Sequence, residues 1–262
     1  MNLLVNQYFR EGANFEKVIL LSDLPNMSWQ EVVQMAPNFP RGWFELSRIS
    51  IENRIHFTYD FWLDKLPFNV SVYPGLTRFF EKLDDVGVVL ACKKDRWTPQ
   101  LVYSLSDNSS FFRGLPGAMQ SDLEELKMSL DFPLPRDYLA FMKIHNGFGR
   151  ISEMGLLRSD ELASAKRRLT EMILKTDQLV KSGLISVDPG ALCPFYEVYG
   201  LDSYQCFYAD WYPTNEIGNV YFSGIDYTVS DTSEQKAWSE NLAFPTFSEW
   251  FIYYLEGMSF SL

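Results

Sequence analysis

The stretch Leu134-Pro135-Arg136-Asp137-Tyr138-Leu139-Ala140-Phe141-Met142-Lys143-Ile144-His145-Asn146-Gly147 carries its own start and stop signals. Pro135 suits the first helical position, because the N–H it lacks would have found no partner there. Asp137 then falls in the first turn, where exposed amide dipoles favour a negative charge. Leu134, Tyr138, Phe141, Met142 and His145 recur at helical spacing and form one stripe. Asn146-Gly147 supplies the stop, since the residue after a last turn often takes a left-handed conformation that costs glycine almost nothing. The spacing therefore predicts a helix from Pro135 to about His145.

Downstream, Ser121-Asp122-Leu123-Glu124 has the pattern of a capping box and starts a short helix with Leu123, Leu126 and Leu130 inward. Ser159 caps a long helix from Asp160 to about Lys181, with Leu162, Ala165, Leu169, Met172, Ile173, Leu179 and Val180 inside. From Ser182 the period changes from helical to strand-like. Candidate strands are Leu192 to Val198, Gln205 to Ala209, Asn219 to Ser223 and Asp226 to Val229. Gly200, Asp202-Ser203, Pro213-Thr214-Asn215 and Gly224 separate them. Thr246-Phe247-Ser248-Glu249 opens a closing helix, along which Phe247, Trp250, Phe251, Tyr254, Leu255 and Met258 keep one face. Gly257 marks its end.

Upstream, Ser28-Trp29-Gln30-Glu31 is a capping box ahead of Val32, Val33 and Met35. Further helices are expected from Trp43 to Ile51, from Arg54 to Leu66, and from Pro74-Gly75 through Leu83. Val86 to Cys92 and Leu101 to Leu105, joined by the polar turn Lys93-Lys94-Asp95-Arg96, read as an antiparallel hairpin. Phe111-Phe112-Arg113-Gly114-Leu115-Pro116-Gly117 is expected to be a domain boundary or crossing loop, because two glycines and a proline interrupt any regular pattern. The reading as a whole is α+β. An antiparallel sheet packed by helices fills residues 116–262, and a mainly helical region with a β-hairpin fills residues 1–115.

At 262 residues the chain can bury a real core, and 47% hydrophobic with 16% aromatic residues exclude a disordered chain. No segment approaches the roughly 20 apolar residues of a membrane span. The first residues lack the basic flank of a signal peptide. Cys92, Cys193 and Cys206 are odd in number and widely spaced, so they are expected to be reduced, buried thiols of a cytoplasmic protein.

The net charge of −11 is unevenly placed. Residues 183–262 hold 11 acidic side chains and one basic one, Lys236. Direct nucleic-acid binding there is disfavoured, since phosphates need Lys and Arg to displace their counterions. A basic protein partner is the natural complement.

The order of elements resembles the SUKH superfamily, which includes fungal cell-wall-synthesis regulators and many bacterial toxin-immunity proteins. The matching residues are the Ser121 helix, Leu134-Pro135 with Asp137-Tyr138 and Phe141, the stop Asn146-Gly147, the strands, and Thr246-Phe247-Ser248-Glu249-Trp250. The resemblance covers about residues 116–262 and implies a SUKH-like α+β domain that binds a protein, possible partners including a toxin. Two features depart from the pattern. Phe148 stands where a second glycine often follows Asn-Gly, and the helix from Ser159 to Lys181 is longer than the usual connection.

Chemical motifs are sparse. The two histidines, His56 and His145, lie on predicted helices, and no Cys-x-x-Cys or His-x-x-x-His spacing exists, so neither a metal site nor a cofactor is expected. His145 reads as a core or helix-end histidine, with a general base beside Ser or Cys as the competing reading. Gly147-Phe148-Gly149 lacks the third glycine and preceding strand of a dinucleotide fingerprint. The helix triplet Lys166-Arg167-Arg168 and the hairpin tip read as solvated faces. Residues 183–262 interleave carboxylates with Tyr196, Tyr199, Tyr204, Tyr208, Trp211, Tyr212, Tyr221 and Tyr227. Tyr and Trp combine large contact areas with polar tips and are enriched at binding hot spots. The sharper expectation is that Asp202, Tyr204, Asp210, Trp211, Tyr212 and Glu216 form one acidic, aromatic surface that holds a cationic protein. The alternative is a carboxylate-dependent hydrolase in which Asp202, Asp210, Asp226 and Asp231 gather as paired carboxylates, for acid–base work or for binding a metal.

Overall fold

The computed structural model describes residues 1–11, 15–151, 155–175, 181–182, 185–198, 201–232 and 238–257. Its helices are α1 (Leu3–Asn6), α2 (Trp29–Met35), α3 (Arg41–Leu46), α4 (Ile51–Lys65), α5 (Tyr73–Glu81), α6 (Gln120–Ser129), α7 (Arg136–Met142), α8 (Ser159–Leu174), α9 (Trp238–Asn241) and α10 (Phe247–Leu255). Its strands are β1 (Lys17–Leu20), β2 (Leu83–Lys93), β3 (Arg96–Leu105), β4 (Phe111–Gly114), β5 (Phe148–Arg150), β6 (Gly155–Leu156), β7 (Lys181–Ser182), β8 (Ile185–Ser186), β9 (Leu192–Val198), β10 (Ser203–Tyr208), β11 (Asn219–Ser223), β12 (Thr228–Val229) and β13 (Ala243–Phe244). The expected α+β class is the one observed. The strands form one sheet in the order β1-β2-β3-β4-β5-β6-β9-β10-β11-β12-β7-β8, with β13 on β11. Its pairings are antiparallel apart from β12 with β7.

Local signals act where the sequence places them. At α2, Ser28 Oγ accepts from the Glu31 N–H and the Glu31 carboxylate accepts from the Ser28 N–H, which satisfies two otherwise orphaned donors. Lys94 and Asp95 take φ of 52° and 58° between β2 and β3, the left-handed pair that a tight hairpin turn requires. Along α10 the expected stripe of Phe247, Trp250, Phe251, Tyr254 and Leu255 is buried, and Gly257 ends it at φ +80°.

Several boundaries move. The segment expected to be a crossing loop is a strand over Phe111–Gly114, with both phenylalanines fully buried, because β4 is needed to join β3 to β5. α3 is shorter than the expected Trp43 to Ile51. α6 starts at Gln120, since Asp122 rather than Glu124 folds back onto an N–H, that of Met119 at 2.8 Å. α8 ends at Leu174 with Lys175 as its C-cap, and the chain is already a strand at Lys181, so the long helix expected to reach Lys181 is cut short. Leu179, Val180, Tyr199, Gly200 and Met258 lie outside the described residues.

α7 is also shorter than expected: Pro135 is its N-cap, Lys143 its C-cap, and His145 lies in the turn beyond. Gly147 takes φ +102°, so the left-handed stop is present, placed where the chain enters β5. The polar residues of the stretch cap two other helices. Asp137 Oδ2 accepts from both the N–H and the Oγ of Ser248, 2.8 Å each, at the first turn of α10. Asn146 Oδ1 accepts from the Ser159 N–H at 2.7 Å while its amide donates to Ser159 Oγ at 2.9 Å, at the first turn of α8. Burial raises the Asp137 pKa, against the opposing pull of the Ser248 donors. Asp137→Ala should lower stability by about 2 kcal/mol in urea denaturation, since it removes the two Ser248 bonds and the bond from the Tyr138 N–H at once, whereas Ser248→Ala should cost about 1 kcal/mol.

The aromatic core lies under this frame. Trp62 of α4 is fully buried, with ring contacts to Phe79 and Phe80 of α5, Tyr103 of β3, Phe141 of α7, Phe148 of β5 and Phe251 of α10. Phe148 fills this core and stacks on Phe112 at 5.5 Å, which accounts physically for a large ring at the position after Asn146-Gly147. On the far stretch of the sheet, Tyr204, Cys206 and Tyr208 of β10 share a second cluster with Leu169 and Ile173 of α8. Cys92, Cys193 and Cys206 are buried and unbridged, as expected.

Candidate functional site

His145 is 1% exposed, and both ring nitrogens are taken. Nε2 lies 2.6 Å from the Tyr103 hydroxyl and Nδ1 2.8 Å from the Leu115 carbonyl. The Trp62 indole N–H donates to the same hydroxyl at 3.1 Å. One proton arrangement satisfies the whole chain: Trp62 N–H to Tyr103 O, Tyr103 O–H to His145 Nε2, and His145 Nδ1–H to Leu115 O. Burial pushes the His145 pKa down to about 4. Its two hydrogen-bond partners make this histidine a core group, and among the described residues no serine or cysteine is hydrogen-bonded to it as a nucleophile would be.

The six surface candidates are divided by β10. Asp202 precedes the strand, exposed and left-handed at φ 47°, and Asp210 follows it. The five residue steps of β10, at about 3.3 Å each, part them by roughly 17 Å. Tyr204 belongs with Asp202 and is 5% exposed. Its hydroxyl pKa is pushed up to about 12, first by burial and then by the carboxylates of Glu197 and Asp202. Arg168 of the basic triplet lies 3.7 Å from Glu197, and Lys166 lies over the Phe132 ring, so two of those three cations have partners within the chain.

The other end of β10 gathers Asp210, Trp211, Tyr212 and Glu216 on the connection to β11. The loop is closed by its own backbone: the Trp211 N–H donates to Tyr208 O at 3.0 Å and the Gly218 N–H to Trp211 O at 2.9 Å. Trp211 folds inward onto Gly218, where a Cβ would stand 2.2 Å from its ring. Tyr212 is 54% exposed and shares the connection with Asp210 and Glu216. Glu216 lies 3.7 Å from the Arg136 Nε, and that arginine side chain is 90% exposed.

Sequence reading missed Asp188. Its carboxylate accepts from the Gly190 N–H at 2.9 Å, in a turn held to this corner by the Ala209 N–H bond to Ala191 O. Burial, then Asp210 and Asp188, raise the Tyr208 pKa, which places both carboxylates near one phenol. Only the register that sets Tyr208 opposite Leu192 brings residues 22 apart in sequence to this corner.

The carboxylates of the hydrolase reading do not meet at one point. Asp226 sits in the β11–β12 turn, where its N–H bonds Ser223 Oγ, and Asp202 packs close by against Gly224, while Asp210 is at the opposite end of β10. Among the described residues no three His, Cys, Asp or Glu side chains are grouped so as to hold a metal ion. Among the same residues no helix is long and apolar enough to cross a membrane.

A search of curated proteins finds no match to this chain. A family model, that of the SMI1 / KNR4 family (SUKH-1), matches residues 117–252. The match takes in α7 with its Asp137 cap, the Asn146-Gly147 stop, β9 to β11, and α10 as far as Ile252. It covers just over half of the chain, and on that extent the chain belongs to the SMI1 / KNR4 family (SUKH-1).

Proposed function

We propose that the protein is an immunity or regulatory module that binds a basic protein partner through the acidic corner of Asp188, Asp210, Tyr212 and Glu216. Family membership supports a non-catalytic immunity or regulatory role in general. The observation that carries the finer reading is the exposed Tyr212 ring on the same β10–β11 connection as Asp210 and Glu216. A large amphipathic ring supplies contact area at low entropic cost, and the surrounding carboxylates steer a cationic surface toward it. Asp202 and Tyr204, at the far end of β10, lie outside this corner. Trp211 supports it from beneath.

The test needs a partner recovered by affinity capture, with rates then measured at several salt concentrations. Long-range attraction fades as the Debye length shrinks to about 8 Å at physiological strength, so association should slow steeply with added salt. Asp210→Lys should slow association without changing the melting temperature, since an exposed carboxylate contributes little to folding, and Asp188→Lys should slow it as well while also giving up the turn bond to Gly190. Tyr212→Ala should speed dissociation about 30-fold, the equivalent of about 2 kcal/mol for a hot spot. Asp202→Lys serves as the control, with smaller effects expected. An association rate indifferent to salt and to the Asp188 and Asp210 reversals would remove the acidic corner as the binding element.

A further inference from the structure

An apolar cavity of about 250 Å³ lies where α3 and α4 meet β3 and the turn after α7. Leu46, Trp62, Leu101, Tyr103 and His145 form its buried floor, and Trp43 is half-buried in its wall. Phe57 and Phe61, one helical turn apart on α4, are 58% and 37% exposed at its mouth. These rings belong to a different set of elements from the acidic corner, and nothing in the protein-binding proposal uses them.

Three properties define what the cavity would accept. The first is polarity. Its floor carries four polar side chains, each already engaged within the protein: Trp62, Tyr103 and His145 in the chain of bonds described above, and Thr58, whose hydroxyl donates to Arg54 O at 2.7 Å. The donors of these side chains are spent, so an acceptor group gains no hydrogen bond from them and the occupant's buried part is apolar. The second is size. A cavity of about 150 Å³ holds a benzene ring, and drug-sized ligands need about 300 Å³ or more, so this volume suits one aromatic ring with a short substituent. The third is charge. Lys143, which is exposed, is the charged residue of the lining, with His145 held neutral and no carboxylate among the lining side chains. In a chain of net charge −11 a lysine in that position favours an anion locally.

We infer that this cavity binds a small aromatic carboxylate, its ring among Trp43, Phe61 and Trp62 and its acid group toward Lys143. Electrostatic preference at a partly solvated lysine is modest, so the ring supplies most of the affinity and the charge sets the selectivity.

The matched probes are 3-phenylpropanoate and 3-phenylpropanamide, which share a body and differ in charge. Indole N–H signals of Trp43 and Trp62 in NMR spectra of the full chain report occupancy. The acid should shift both signals saturably and bind about fivefold more tightly than the amide. Lys143→Gln, a change at an exposed side chain, should erase that difference and leave amide binding unaltered. Gly42→Phe should block both probes. Gly42 lines the cavity from α3, a Cβ there meets nothing within 4 Å, and replacing a helical glycine costs no stability. Absence of saturable shifts at millimolar probe would overturn the proposal. So would equal affinity for acid and amide, which would assign the cavity to an uncharged group such as a partner's aromatic side chain. Unchanged binding in Gly42→Phe would place the probe elsewhere and equally overturn it.

Discussion

Trp62→Ala is expected to lower the unfolding free energy by about 4 to 5 kcal/mol, the upper part of the range for deleting a buried aromatic. The ring is fully buried and contacts aromatic side chains from α5, β3, α7, β5 and α10, so no single neighbour can collapse into the space it leaves. Its indole N–H is also one of two partners of the buried Tyr103 hydroxyl, and losing it adds the cost of a weakened polar group. Against a typical total of 5 to 15 kcal/mol, such a loss leaves a protein close to its unfolding threshold. Trp62→Phe should recover most of it, since a phenyl ring keeps the apolar contacts and forfeits the hydrogen bond. Urea denaturation of the three proteins would measure the series, and a Trp62→Ala variant within 1 kcal/mol of the parent would show that this core does not depend on α4.

The same residue bears on how residues 1–115 and 116–262 relate. We propose that the two parts unfold together. Trp62 lies in the first part, while Phe141, Phe148 and Phe251 lie in the second, and β4 pairs with β5 across the two. Unfolding followed by probes in both parts should then give one coincident transition in the parent.

What could be read from the chain beforehand follows the range of the interactions. Signals that act within three or four residues were legible: the Ser28 box on Glu31, the left-handed turn at Lys94 and Asp95, and the stripe along α10. Local spacing puts Asp137 in a first turn, but its partner Ser248 is 111 residues away, and no local pattern names a helix cap supplied from another helix. Asn146 reads locally as a stop, while its side chain serves α8, 13 residues on. At the candidate site the residue types were readable and their grouping was not. Strand alternation hides Tyr204, strand length parts Asp202 from Asp210, and register alone recruits Asp188.

Acidification should destabilise the protein between about pH 6.5 and pH 4, with His145 contributing about 3 kcal/mol over that window. Its pKa falls to about 4 in the folded state because burial penalises the imidazolium, an effect that the Leu115 carbonyl only partly offsets. The ring is faced by Trp43, Trp62, Tyr103, Phe141 and Phe148, none of which brings a charge, and Tyr103 itself is pushed well above its ordinary pKa by burial. The sign follows from proton counts. The unfolded chain takes up a proton near pH 6.5 while the folded one refuses it until about pH 4, so stability falls as pH falls through that interval and is insensitive to this group above it. Protonation would also convert Nε2 from acceptor to donor, which leaves the Tyr103 O–H without its acceptor. Asp137, Glu197 and Glu249, whose pKa values burial raises, act in the opposite direction, because their folded forms take up protons more readily than the unfolded chain. The net curve therefore mixes both signs, and a variant isolates the histidine. His145→Phe forfeits the bonds to Tyr103 and Leu115 at every pH, which lowers its stability curve without tilting it. The difference in unfolding free energy between parent and variant, measured by urea denaturation from pH 7 down to pH 4, should shrink by about 3 kcal/mol. A difference that stays constant across that range would mean that the folded protein admits a charged imidazole, and that the Trp62, Tyr103 and His145 chain is open to water.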